Sequence, residues 1–186
     1  MIRRFYKRAN ALNSVTIRSA KFPDVYLRCD GSKVDKFTGP GSGVVNCQYK
    51  PDEEWELFHI YPIAMKPSLA PPSEFPVHIL SAEWDNVYIR MDGSGMDKPN
   101  ASGGGCVNCQ YGARSYEQFY YRSEGNGGLD GKFSFRSIYF PHCYLRLDGT
   151  NVVAHTGPGG GTVNCQYYDN PSSALPNGVM ETFYIS

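Results

Sequence analysis

Val45-Asn46-Cys47-Gln48-Tyr49 recurs unchanged as Val107-Asn108-Cys109-Gln110-Tyr111 and again as Val163-Asn164-Cys165-Gln166-Tyr167. Each copy follows a Tyr-Leu/Ile-Arg-x-Asp-Gly segment at a fixed distance: Asp30 to Cys47, Asp92 to Cys109 and Asp148 to Cys165 are all 17 residues apart. The copies are offset by 62 and 56 residues, so spacing is rigid inside a repeat and loose between repeats. Insertions are confined to the connections, which marks a pseudo-threefold chain. Such a chain offers up to three related surface sites and points to multivalent binding before catalysis.

Working outward, each repeat holds four strand-like segments. The first is 15–19, matched by 77–81 and 133–137, with apolar and polar residues alternating as in a half-buried strand. The second is 25–29, with 87–91 and 143–147; the third is the repeated pentapeptide; the fourth is 55–60, with 116–121 and 180–185. Twelve short strands and three repeats predict an all-β chain, a β-trefoil of three pseudo-symmetric four-stranded repeats. That fold is a six-stranded barrel capped by three hairpins, which removes most open sheet edges. Three propeller blades would be too few to close. The expected organisation is a basic N-terminal tail at 1–13 and a single domain at 14–186, with repeats near 14–62, 76–122 and 132–186. The Pro-rich stretch 61–76 and the Gly-rich stretch 124–130 are read as connections between repeats. With 20 Gly, 13 Pro and 14 Tyr among 186 residues, turns and short strands are favoured over helices.

Eighteen basic and 18 acidic side chains give a formal net charge of +0, which removes the general electrostatic case for nucleic acid. The one local exception is the start of the chain, where Arg3, Arg4, Lys7 and Arg8 stand without an acid. No run approaches the roughly 20 apolar residues of a membrane span. No apolar segment near Met1 reads as a secretory signal, so a cytoplasmic location with reduced thiols is expected.

Alternation sorts the repeated residues into two faces. Leu27, Cys29, Ile89, Met91, Leu145 and Leu147 are core candidates, with Val45, Cys47, Tyr49 and their equivalents. The opposite face carries Tyr26, Arg28, Asp30, Asn46 and Gln48 in repeat one; Tyr88, Arg90, Asp92, Asn108 and Gln110 in repeat two; Tyr144, Arg146, Asp148, Asn164 and Gln166 in repeat three. Glu56, Glu117 and Glu181 join them from the fourth segment. Two readings stay open. The set fastens each hairpin to its Gly-rich loop, or it binds hydroxyl-rich ligands, with Asp as acceptor, the amides as partners and Tyr as a stacking face.

The Gly-rich segments 39–43, 102–105 and 157–161 run into a strand and lack the Lys-Ser/Thr ending of a phosphate loop, so tight turning is their expected role. Cys106 and Cys109 have the spacing of half a zinc site, but no second pair accompanies them and alternation points them to opposite faces. His59, His78, His142 and His155 occupy unrelated repeat positions, and no catalytic order of Ser, His and Asp stands out. No enzyme, cofactor or metal is expected.

The pattern Y-L-R-x-D-G, V-N-C-Q-Y and W/Y/M-E-x-F, the last at 55–58, 116–119 and 180–183, resembles the fascin-type β-trefoil repeat. The Phe-Pro-x-x-Tyr-Leu-Arg opening at 22–28, with Phe-Pro-x-x-Tyr-Leu-Arg at 140–146, resembles arabinose-binding trefoil modules. The Gln-x-Trp repeat of ricin-type lectins is absent. These resemblances imply a non-enzymatic, lectin-like module for carbohydrate or glycoprotein with up to three sites. The alternatives are an actin or other protein-interaction module and a protease inhibitor acting through the loop at 66–74. Repeat two departs most, at 95–99 and Cys106, and is the copy whose site sequence comparison would first give up.

Overall fold

A computed structural model describes residues 14–51, 54–64, 74–124 and 131–186. The basic tail at 1–13 and most of the two connections, including 66–73 of the inhibitor-loop candidate, lie outside the described residues. Among the described residues twelve strands form in three sets of four. Repeat one contains β1 (Val15–Ser19), β2 (Val25–Asp30), β3 (Gly43–Tyr49) and β4 (Leu57–Pro62). Repeat two contains β5 (Glu74–Ser81), β6 (Val87–Asp92), β7 (Cys106–Tyr111) and β8 (Phe119–Glu124). Repeat three contains β9 (Lys132–Ser137), β10 (Cys143–Asp148), β11 (Thr162–Tyr167) and β12 (Phe183–Ile185).

The first and fourth strands of the repeats pair in a closed ring: β1 with β4, β4 with β5, β5 with β8, β8 with β9, β9 with β12 and β12 with β1, all antiparallel. The second and third strands make the hairpins β2–β3, β6–β7 and β10–β11. This is the β-trefoil expected from the repeat. Ile17, Ile79 and Phe135 from the first strands meet Phe58, Phe119 and Phe183 from the fourth, all at 0% exposure. Above them sit Leu27, Ile89 and Leu145 with Cys47, Cys109 and Cys165, also fully buried. Each large side chain placed there adds about 1.5–3 kcal/mol of hydrophobic burial.

The fourth segment departs from expectation. Its Trp/Tyr-Glu half is a single 3-10 turn, Glu54–Glu56 and Ser115–Glu117, and strand begins only afterwards. The turn tucks Glu56 and Glu117 inward at 1% exposure. Extended backbone would have kept Trp55 and Glu56 on opposite faces, whereas the arginine between them requires both.

Gly43 leads β3 where no side chain fits. A Cβ built there would press on the Cys109 thiol, on Val34 at 2.6 Å and on the Asp30 carbonyl at 2.8 Å. A Cβ at Gly157, in the loop of repeat three, meets nothing within 4 Å. Gly43→Ala should therefore lower unfolding free energy by about 1–3 kcal/mol, and Gly157→Ala should stay within about 0.5 kcal/mol of the native chain. Urea denaturation of both variants checks the pair; equal costs would contradict the packing described.

Candidate functional site

Hairpin register brings the repeated polar residues together. Tyr26 lies opposite Gln48 and Arg28 opposite Asn46; Tyr88 opposite Gln110 and Arg90 opposite Asn108; Tyr144 opposite Gln166 and Arg146 opposite Asn164. The arginines were expected on an outward face, and the structure corrects this: Arg28, Arg90 and Arg146 are 2%, 4% and 3% exposed. Each is closed between two carboxylates. Arg90 donates to Asp92 Oδ2 at 3.0 Å and has Glu117 at 3.9 Å; Arg146 donates to Asp148 at 3.0 Å and has Glu181 at 3.8 Å; Arg28 lies 3.7 Å from Glu56 and 4.0 Å from Asp30. An aromatic ring covers two of them, Trp55 at 4.3 Å from the Arg28 guanidinium carbon and Tyr116 at 4.7 Å from that of Arg90. A charge so buried is tolerable only with such pairing.

The amides act between repeats. Asn46 donates to the Pro158 carbonyl, Asn108 to that of Pro40 and Asn164 to that of Ser102, at 2.8–2.9 Å. Gln48 clamps Thr156 on both its N–H and its C=O, and Gln110 accepts from the Thr38 N–H. Gln48 and Gln110 are 1% and 0% exposed, and Tyr144, at 0%, donates its hydroxyl to the Pro171 carbonyl at 2.6 Å. These three, with Arg28 and Arg146, are closed to direct ligand contact because a neighbouring loop or ring lies on them. The Gln166 Oε1 is buried without a hydrogen-bond partner among the described residues. Tyr26, Tyr88, Asp30, Asp92, Asp148, Asn46, Asn108 and Asn164 remain half-buried.

The cysteines close the same ring. The thiols of Cys47, Cys109 and Cys165 point to the carbonyls of Asp148, Asp30 and Asp92 at 3.5–3.7 Å. All six cysteines are free; five are buried and Cys106 is exposed. Burial pushes the Cys47 thiol up to about 12 and that of Cys143 up to about 11, so neither is a nucleophile near neutrality. No group of three or more metal-ligating side chains occurs among the described residues. No described helix is long and apolar enough to cross a membrane.

One concavity breaks the threefold pattern. A cleft of about 410 Å³ opens over Arg90, Asp92, Tyr116 and Glu117, within the size range of small-molecule sites. Its walls are Phe37, from the loop of repeat one, and Tyr139, from the first turn of repeat three; Arg114 and Ser115 complete the rim. Phe37 is 39% exposed and Tyr139 56%. The Arg114 guanidinium lies 3.6 Å from the Phe37 ring centre and covers one face of it. Tyr139 contacts Tyr116 at 4.9 Å between ring centres.

The walls are peculiar to this copy. Seven residues past the repeated Asp stand Phe37, Pro99 and His155. Two residues past the serine that caps the first turn (Ser19, Ser81 or Ser137) stand Lys21, Glu83 and Tyr139. The loop of one repeat reaches the arginine of the next: Gly157 caps Arg28 and Ala101 caps Arg146 with a carbonyl, whereas the loop of repeat one lines the cleft over Arg90 with Phe37, Gly39 and Pro40. Rotation by one repeat therefore replaces the Phe37/Tyr139 pair by His155/Glu83 over Arg28 and by Pro99/Lys21 over Arg146. Of the residues singled out from sequence, Arg90, Asp92 and Glu117 line this cleft; Phe37, Arg114 and Tyr139 were missed. Comparing repeats for their differences rather than their identities would have found Phe37 and Tyr139.

No protein-family model matches the chain, and no curated protein does. Among solved structures, a mosquitocidal holotoxin is similar with a TM-score of 0.56 and 13% identity over 92% of this chain and 17% of that one. The Polyporus squamosus lectin, bound to a human-type influenza-binding epitope, is similar with a TM-score of 0.55 and 14% identity over 93% of this chain and 48% of that one. This chain thus spans less than half the length of either. The likeness concerns the fold.

The two carboxyls beside Arg90, and the two beside Arg146, are shifted in opposite directions. Burial pushes the carboxyls of Glu117 and Glu181 above the ordinary 4.5 despite the adjacent arginines. At Asp92 and Asp148 burial acts upward too, but hydrogen bonds from Ser94 and Thr150, with those from Arg90 and Arg146, hold them below 3.8. The stability that the aspartates contribute is complete above their ordinary value and is lost as pH falls through the lower folded one. The raised glutamates add stability as pH falls from neutral through their folded values. As pH falls from neutral toward the ordinary 4.5, the melting temperature of Glu117→Gln/Glu181→Gln should gain less than that of the native chain, and Asp92→Asn/Asp148→Asn should soften the loss below about pH 4. Melting curves of identical pH slope in all three proteins would contradict the assignment.

Proposed function

We propose that the chain is a non-enzymatic, lectin-like carbohydrate-binding module whose ligand enters the cleft over Arg90 and Tyr116. The observation that carries this reading is the pair of exposed aromatic walls, Phe37 and Tyr139, placed over a fixed polar floor. A sugar ring is apolar on its faces and polar at its edge, and the cleft offers both surfaces. Asp92 is the hydroxyl acceptor. Its two oxygens provide about four lone-pair sites. Arg90 and the Ser94 amide and hydroxyl use three of them, and the side chain stays 24% exposed. Arg90 holds Asp92 in place instead of touching the ligand. Asp30 and Asp148 occupy equivalent positions without a counterpart of the Phe37/Tyr139 pair, so this reading replaces three equal sites with one dominant site.

Likeness in fold to the Polyporus squamosus lectin supports the reading without supplying residues for it. The finer affiliation with fascin-type trefoils belongs to the same proposal. Its support is the role found for W/Y/M-E-x-F, whose Glu faces the buried arginine and whose Phe enters the barrel core.

Phe37→Ala and Tyr139→Ala should each weaken glycan binding about five- to tenfold, or about 1–1.5 kcal/mol, while Lys21→Ala and Glu83→Ala leave it unchanged. A glycan array followed by calorimetry on the best ligand reads this directly. Full binding by the folded Phe37→Ala/Tyr139→Ala chain would move the site elsewhere. Absence of binding to any glycan would favour a protein partner.

A further inference from the structure

A second, smaller hollow adjoins the cleft. It encloses about 150 Å³ and is lined by Gly93, Met96, Tyr139, Phe140, His142 and Tyr167 among others. Tyr139 belongs to both concavities and stands between them. The rings run on from one to the other: Tyr116 to Tyr139 at 4.9 Å, and Tyr139 to Phe140 at 5.0 Å. At the far end His142 lies against Tyr167 with centres 5.0 Å apart and planes within 10°.

We propose that the ligand is an oligosaccharide of two or more rings, which crosses Tyr139 with one ring in the cleft and the next in the hollow beside His142. The proposal rests on the carbohydrate reading above and extends it to chain length. Three observations carry it. Tyr139 is 56% exposed and wets both hollows, so its ring can serve a sugar on either side. His142 Nδ1 lies 2.8 Å from the Tyr168 carbonyl, which can only accept, so Nδ1 carries the proton. The other nitrogen, Nε2, then holds a lone pair in the neutral ring, an acceptor for a second sugar's hydroxyl beside an apolar surface. Finally, the position of Tyr139 is Lys21 and Glu83 in the other repeats, so neither of those copies carries an aromatic ring there.

The test is a panel in which galactose, N-acetylglucosamine, mannose and arabinose are each matched with their own di- and trisaccharides. Affinities are measured for the native chain and His142→Ala, and the His142 ring signals are followed by NMR in the native chain. The expected result is that the bound series gains about tenfold from mono- to disaccharide, and that His142→Ala collapses this ratio. In the native chain the His142 signals shift with the longer sugars only. Equal affinity at every length, or His142 signals unmoved by a bound disaccharide, overturns the proposal while leaving the carbohydrate reading in place. If no sugar of any length binds, both fall together.

Discussion

Every repeat of this protein is fastened by the loop of the repeat before it, and the rest of the structure depends on that ring of contacts. The loop of repeat one docks on Asn108 and Gln110, that of repeat two on Asn164, and that of repeat three on Asn46 and Gln48. Backbone bonds repeat the pattern, from Ser42 to Cys109, Gly104 to Cys165 and Gly160 to Cys47. No repeat can complete its own hairpin cap, so three must fold together. This constraint explains why V-N-C-Q-Y is invariant. The Asn grips a neighbouring loop in all three copies and the Gln does so in the first two, the Cys fills the space beneath it, and a glycine must lead the strand to leave room for that sulfur.

The same constraint limits what the tripled residues can do for a ligand. Side chains that hold loops and balance buried charge have few hydrogen-bonding sites left. Among the described residues, Asp92 combines a remaining acceptor site with Phe37 from one repeat and Tyr139 from another beside the same cleft. Identity among repeats thus marks the scaffold, and difference marks the place where the surface became distinctive.

Much of the fold was legible because its signals are local. Alternation placed the first three strands of each repeat within a few residues, and the fixed Asp-to-Cys spacing exposed the hairpins. The fourth segment was misread because Trp55-Glu56 is amphipathic in a way that suits either a strand or a 3-10 turn. Only the demand for a counter-charge at Arg28 decides between them. Burial of the arginines was not legible for a related reason. What covers Arg28 is a loop more than a hundred residues away, with Gly157 supplying the carbonyl at 3.1 Å. The departures at 95–99 cast doubt on repeat two, yet that loop serves repeat three, because loops act on the next repeat and not on their own.

One asymmetric cleft, and not three equivalent hairpin faces, is the ligand site proposed for this chain. Native mass spectrometry with the best-bound glycan at saturating concentration measures this most directly. One glycan per chain, reduced to none by Phe37→Ala/Tyr139→Ala in the folded protein, is the result predicted. Three glycans per chain bound with similar affinity, and still bound by that variant, would contradict it.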